Sequence, residues 1–331
     1  MSINYNSYPT IKDVAKKANV GIATVSRVLN NSEKVSEKTR KRVLQIVEDL
    51  GYSPNLHARS LSSKKGNSVS LVVPSIGNEV YATIYSALEK ELSKKGYRMI
   101  VFPLMDNLSL QKIKQKTDLI YQTDGVFIAS LCINKIFKDN PLNKKIVLID
   151  SFDERFDSVH IDNFEVGVNA AKYLLQKQKD DSDFFLISYK EVQDEFTSTV
   201  FENRDRGFVE TLEKNGKKPN IIYTDLNWDS GFKLAKRIAS KKKHNLIFST
   251  ADKIAFGLKA FFDQNIYTPD EDYNMISVDD LPFSKVTGLT TIRQPFEKMA
   301  KEATNLYFSY IEGNEDIKNI KLKTKLIIRE T

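Results

Sequence analysis

The sequence predicts a small all-α module followed by a two-lobed α/β core with parallel sheets, and three observations carry that reading. The first is where the charge sits. Residues 1–65 hold 12 Lys and Arg against 5 Asp and Glu, while the whole chain holds 50 against 43. The net charge of +7 therefore belongs to the first 65 residues, and the other 266 balance at 38 basic and 38 acidic. The second is a set of short amphipathic helical patterns, punctuated by glycine and proline, up to about residue 61. The third is that apolar runs and helical patterns alternate from Ser68 onward, the rhythm of parallel sheets covered on both faces. The expected division is a headpiece over 1–53, a short linking segment over 54–66, and a core over 67–331.

The segment TIKDVAKKANVGIATVSRVLNN (10–31) is two short helices joined by a tight turn, a helix-turn-helix. Thr10 followed by Asp13 is a capping-box-like start. Val14, Ala15 and Ala18 line one face. Asn19-Val20-Gly21 breaks the helix, and Gly21 suits the turn. The second helix runs from about 22 to 29. Val25, Val28 and Leu29 turn inward and leave Ile22, Ala23, Thr24, Ser26 and Arg27 outward. That outer set is small, polar or basic, as a helix entering a major groove requires. Ser36 can cap a third helix from Glu37 to about Leu50, with Val43, Leu44, Ile46 and Val47 apolar. Lys38, Arg40, Lys41 and Arg42 near its start suit phosphate neutralisation. Gly51 stops that helix and Pro54 opens a new one. Residues 55–61 give one or two turns, too short to be stable alone. A polyanion for one end and an uncharged or mildly polar ligand for the rest is the simplest pair of partners.

In the core, SVSLVVPS is a buried strand, YATIYSALEKELSKKG an amphipathic helix and YRMIVFPL a strand. A helix, the strand DGVFIAS and the strand KKIVLIDS follow. The rhythm restarts with AAKYLLQ and runs through four more strands to YNMISVDD. Two similar lobes result, with the first boundary near Asn163 and a second crossing near Leu289. The expectation is lobe 1 over 67–162 and 289–295, and lobe 2 over 163–288 and 296–331. Ligands of open α/β sheets bind beyond the carboxyl ends of the strands, here between the lobes. Tyr81 lies near such an end, where an aromatic ring is placed to stack on a ligand face. Trp228, the sole tryptophan, precedes a helix start and reads either as a partly buried residue or as a border of the same cleft.

Several classes are excluded. No apolar run approaches the ~18–20 residues that span a bilayer. The first ten residues are polar, unlike a secretory signal. Cys132 is the single cysteine, so no intramolecular disulfide forms, which fits a reducing cytoplasm. In DGVFIASLCI it reads as a core residue. There is no phosphate-binding glycine loop and no nucleophile elbow. His57, His160 and His244 have no metal-like spacing. Neither catalytic residues, metal nor cofactor is expected.

The strings TIKDVAKKANVGIATVSRVLN, VSEKTRKRVLQIVEDLGYSPNLHARSL and VSLVVPS together resemble the lac repressor (LacI/GalR) family of bacterial transcription regulators. The resemblance covers nearly the whole chain. It implies a cytoplasmic homodimer with a helix-turn-helix headpiece, a hinge helix that folds on double-stranded operator DNA, and a periplasmic-binding-protein-like core holding a sugar-like effector. Carried over by position, Ile22 and Ala23 match the base-choosing pair. Thr24, Ser26 and Arg27 match phosphate and base-edge contacts, and Asn30 a backbone contact. Thr10, at the first helix cap, joins the expected DNA contacts. Asn55, Ala58 and Leu61 match minor-groove contacts, Leu61 as a wedge that unstacks the central step of a palindrome, expected to be CG.

In the core, Arg204 in NRDRGF, Asp279 in SVDD and Phe296 in TTIRQPF match the family's sugar-contacting arginine, aspartate and pocket-closing aromatic. An Arg and an Asp on one cleft bind vicinal hydroxyls as donor and acceptor. Asp252 matches the acidic member of the family's Asn-Asp pair. Departures are Gly21 in place of a capping serine, Ser75-Ile76-Gly77-Asn78-Glu79-Val80 in place of Asp-Ile-Ser-Asn-Pro-Phe, and Ala251 in place of the asparagine. They give weight to an unusual ligand, to a protein co-regulator such as a phosphocarrier protein, or to no effector at all. A sugar-binding transport protein is the alternative from another class. A sugar kinase or dehydrogenase is disfavoured by the absent phosphate loops.

Overall fold

The computed structural model describes residues 9–29, 32–52, 67–104, 107–115, 119–136, 144–189, 199–240 and 243–331. Two compact units divide the chain, Met1–Gly66 and Asn67–Thr331.

The first unit contains α1 (Ile11–Ala18), α2 (Ile22–Leu29) and α3 (Glu37–Asp49). The Thr10 backbone N–H and hydroxyl both donate to the Asp13 carboxylate at 2.7 Å, which fixes the start of α1. Asn19 takes the left-handed conformation, φ 50°, and the Val20 N–H returns to the Ala15 carbonyl at 3.0 Å. The Ser36 hydroxyl accepts from the Thr39 N–H and caps α3. Val14, Ala15, Ala18, Val25, Val28 and Val43 form the small core between the three helices. Leu44, apolar in the sequence pattern, is exposed. Within the basic cluster, Arg40 turns partly inward and donates to the Ser32 carbonyl at 2.7 Å, so it braces the turn after α2. Lys38, Lys41 and Arg42 stay exposed.

The second unit carries β1 (Ser68–Val73), α4 (Glu79–Ser93), β2 (Arg98–Pro103), α5 (Asn107–Lys114), β3 (Gly125–Ala129), α6 (Ile133–Ile136), β4 (Lys145–Ile149) and β5 (Asp157–Ile161). Next come α7 (Asn163–Gln176), β6 (Ser182–Ser188), α8 (Val200–Lys214), β7 (Asn220–Tyr223), α9 (Trp228–Ile238), β8 (His244–Ser249) and α10 (Asp252–Gln264). The run ends with β9 (Tyr273–Asp279), α11 (Pro282–Val286), β10 (Thr290–Arg293), α12 (Phe296–Ile311), β11 (Asn319–Leu322) and β12 (Lys325–Ile327). Two six-stranded sheets form, in the orders β2-β1-β3-β4-β5-β11 and β7-β6-β8-β9-β10-β12. Every pairing is parallel except β10 with β12. Central strands such as Gly125–Ala129 and His244–Ser249 are buried along their whole length, as two-sided covering requires. Strand order reverses at β1/β3 and at β6/β8, the kind of switch point beyond which open α/β sheets bind ligands.

The lobes differ from the sequence expectation in their returns. Residues 290–293 are β10 and stay in the second sheet beside β9, not in lobe 1. Residues 296–322 belong to lobe 1, because α12 packs on α4, β4 and β5, and β11 pairs with β5. The ring of Tyr307 on α12 lies over Gly125 so closely that an added Cβ would stand 2.2 Å from it. An amphipathic pattern shows that α12 has an apolar face but not which sheet that face covers. The chain therefore passes between lobes three times, at residue 162, at 294–295 and at 323–324.

Candidate functional site

On the first unit, Val25 and Val28 anchor α2 in the core, and Ile22, Ala23 and Arg27 are exposed on its other face. Thr24 and Ser26 are half-buried beside them. Thr10 is exposed at the start of α1. These six expected DNA contacts sit on or beside a short polar helix whose inner face is fixed. A Cβ added at Gly21 meets nothing within 4 Å, so the departure from serine costs no more than the few tenths of a kcal/mol that separate these caps. The remaining expected contacts, Asn30, Asn55, Ala58 and Leu61, lie outside the described residues.

In the second unit the cleft is built by a glycine crossing. Where α7 meets α8, an added Cβ at Gly167 would lie 2.0 Å from the Arg204 carbonyl oxygen, and one at Gly207 2.1 Å from that of Phe164. Only glycines let the two backbones approach this closely. That approach brings Arg204, 2% exposed, beside Asn163 at the start of α7. Its Nε donates to Asn163 Oδ1 at 2.8 Å and its Nη1 to the Thr250 carbonyl at 2.7 Å. The same Nη1 stands 4.0 Å from Asp279 Oδ1, and the guanidinium lies 5.7 Å from the Phe201 ring centre.

Three strands end here in left-handed backbone: Ser130 after β3 (φ 52°), Asp150 after β4 (φ 50°) and Asp279 closing β9 (φ 123°). Such conformations cost about 1–3 kcal/mol each and gather at binding sites. The Ser130 hydroxyl donates to Asp150 at 3.0 Å, and Gln294 Nε2 donates to Asp279 Oδ1 at 2.7 Å. The space left between these groups is a cavity of about 30 Å³, room for roughly one water.

Tyr81, Arg204 and Asp279 line this cavity as the sequence led us to expect. The other three expected effector residues do not. Asp252 is fully buried within lobe 2, where its carboxylate accepts from the hydroxyls of Ser277, Ser284 and Thr291 and from the Leu281 N–H. It ties α10, β9, β10 and α11 together, leaving no acceptor for a ligand. Phe296 is buried in the hydrophobic core at the start of α12. Trp228 is exposed at the start of α9, with its indole beside Gly257. Sequence reasoning missed Asn78, Ser130, Asp150, Phe201, Lys253 and Gln294 as lining residues. Ser130, Asp150 and Gln294 were open to discovery, since each directly follows a parallel strand.

Burial pushes the Asp279 carboxyl up to about 8, opposed by the Arg204 guanidinium and reinforced by Asp252 and Asp150. Burial also raises Asp150 and Asp252, and Arg204 opposes the rise at Asp150. A proton held by folded Asp279 is released on unfolding, where the ordinary pKa is ~3.9. Its contribution to stability is complete below pH ~4 and fades as pH rises to about 8. Core stability should therefore fall across that window, and Asp279→Asn should flatten the slope. Urea unfolding from pH 4 to 8 measures both, and an unchanged slope in the variant would refute the assignment. Among the described residues no His, Cys, Asp and Glu group is able to hold a metal ion, and no helix is long and apolar enough to cross a membrane.

A helix-turn-helix unit with a small polar outer face, followed by a two-lobed parallel α/β unit with a polar cleft, defines a DNA-binding transcription regulator with a ligand-binding core. Residues 10–55 match the family described as bacterial regulatory proteins, lacI family, and residues 183–331 match the periplasmic binding protein-like domain. The chain is 30% identical over 336 residues to the HTH-type transcriptional regulator RegA of Clostridium saccharobutylicum, covering 97% of this chain and 98% of RegA. It is 28% identical over 352 residues to the HTH-type transcriptional regulator DegA of Bacillus subtilis (strain 168), covering 97% of each. The fold is shared with the lac repressor dimer bound to operator and the anti-inducer ONPF, at 20% identity and a TM-score of 0.75 over 98% of this chain and 99% of that one. The chain belongs to the lacI family of bacterial regulatory proteins. It is a regulator and not an enzyme.

Proposed function

We propose that the protein is a cytoplasmic repressor of carbohydrate-related genes that binds a palindromic operator as a homodimer and answers to a small sugar-like effector between its lobes. The observation that carries this reading is the cleft itself. Arg204, Asp150 and Asp279 converge on one cavity with Tyr81 at its wall, a donor and acceptor set suited to vicinal hydroxyls beside an aromatic face. The homodimer is supported by a groove of about 920 Å³ bordered by α4, α11 and α12, where Phe283 and Val286 are exposed. Two headpieces read two half-sites, and residues 54–66 act as the hinge, with Leu61 as the wedge. Effector binding changes the angle between lobes, separates the hinges and lowers operator affinity.

The test is selection of DNA from a random pool with the purified full-length protein. The expected product is a palindrome with a central CG step, released from the protein by a sugar in wild type but not in Tyr81→Ala. Retention of DNA without any motif would remove the operator reading, and release that survives in the variant would move the effector elsewhere.

A further inference from the structure

The cavity between the lobes is chemically lopsided. At its inner end Asp150, Asp279 and Gln294 present oxygens. Gln294 is 4% exposed and spends its amide N–H on Asp279, which leaves its Oε1 buried without a donor. Arg204 lies among these oxygens, but its hydrogen bonds go to Asn163 and to the Thr250 carbonyl. A molecule entering here has to supply a hydroxyl donor to Gln294 Oε1, because an unmet buried acceptor is costly.

The other end is cationic. Lys253, second residue of α10, lines the cavity, and its ammonium crosses the cleft to donate to the Gly77 carbonyl at 2.7 Å. That carbonyl belongs to the loop between β1 and α4 in lobe 1, so the bond spans the lobes. A neutral carbonyl is a weaker partner for an ammonium than an anion is.

We propose that the effector is a polyol carrying one anionic group, a sugar phosphate or a sugar acid, with its hydroxyls on Asp150, Asp279 and Gln294 and its anion on Lys253. This rests on the cleft being the effector site. The anion draws Lys253 away from Gly77 and so replaces a bond between lobes with a charge-assisted one to the ligand. The cavity of about 30 Å³ is too small for a hexose, so entry and lobe opening are one event. Lys253 also supplies a polar group near the position where Ala251 lacks one.

The experiment is titration calorimetry on the full-length protein with glucose, glucose 6-phosphate, gluconate, fructose and fructose 6-phosphate, together with inorganic phosphate. At least one anionic sugar should bind about tenfold or more tighter than its neutral parent, the effect of one charge-assisted contact. The phosphate ester and carboxylate arms separate the two sources of charge. In Lys253→Met and Lys253→Gln, both checked for folding by thermal melting, the ratio should collapse toward one, and Lys253→Arg should restore it. Neutral sugars binding as tightly as their anionic counterparts, or a preference that survives in both Lys253 variants, would overturn the anion assignment while leaving the cleft as effector site. No binding by any sugar of the set would overturn both, as would binding unaffected by Tyr81→Ala.

Discussion

Gly167→Ala should destabilise the core by about 2–3 kcal/mol, near the top of the range for overpacking a close contact. The added methyl group would lie 2.0 Å from the Arg204 carbonyl and 2.7 Å from the Phe208 nitrogen. Both are backbone atoms of a helix, so no side-chain rotation relieves the clash and α7 and α8 have to separate. Separation pulls Arg204 from Asn163 and Thr250 and withdraws its positive charge from Asp150 and Asp279. The variant should therefore lose cleft binding along with stability. Urea unfolding of the full-length protein measures the first effect and ligand titration the second. A loss under roughly half a kcal/mol, the level of an inert surface change, would show that the crossing is not a constraint.

Arg27→Ala should produce the larger functional effect. Arg27 is exposed on the outer face of α2, and among the described residues no side-chain hydrogen bond or ion pair ties it to the headpiece core. Its removal should leave thermal melting unchanged. A good base-edge contact is worth about 1–3 kcal/mol, and a dimer loses two of them. The two losses sum to about 2–6 kcal/mol, so operator affinity should drop at least about 30-fold at fixed salt if they add. Fluorescence anisotropy on the selected operator at two or more salt concentrations checks this. A uniform loss across sequences with a shallower salt slope would make Arg27 a phosphate contact, and relaxed preference at one base pair would make it a base reader. Full affinity in the variant would remove it from the interface.

The headpiece was the most legible part of the chain. Its helices are short, their caps are local, and Val14, Val25 and Val28 are fixed by spacing alone, so the bounds of α2 come out as read. The alternation of strands and helices in the core was equally readable where strands are continuous and apolar, as in β1, β3 and β8. β5 escaped because DSVHI has no apolar run, its Asp157 and Ser158 being buried through pairing and bonds to the chain at Lys318 and Asn319. The site was half legible. The family resemblance identified Arg204 and Asp279 by position, but a positional match does not say which way a buried group faces. Asp252 and Phe296 turn away from the cleft because stronger partners exist inside their own packing layers. Asp150 and Gln294 were passed over although the rule of strand ends points to them.

The three passages between lobes have a consequence for how the molecule is made. Neither lobe is a continuous stretch of chain. Lobe 1 waits for α12 and β11, and lobe 2 waits for β12, whose last residue is Ile327. During synthesis both lobes stay incomplete until β11 and β12 have emerged from the ribosome, while the contiguous headpiece is free to fold long before. The nascent chain therefore carries a finished, positively charged helical unit ahead of an unfinished core.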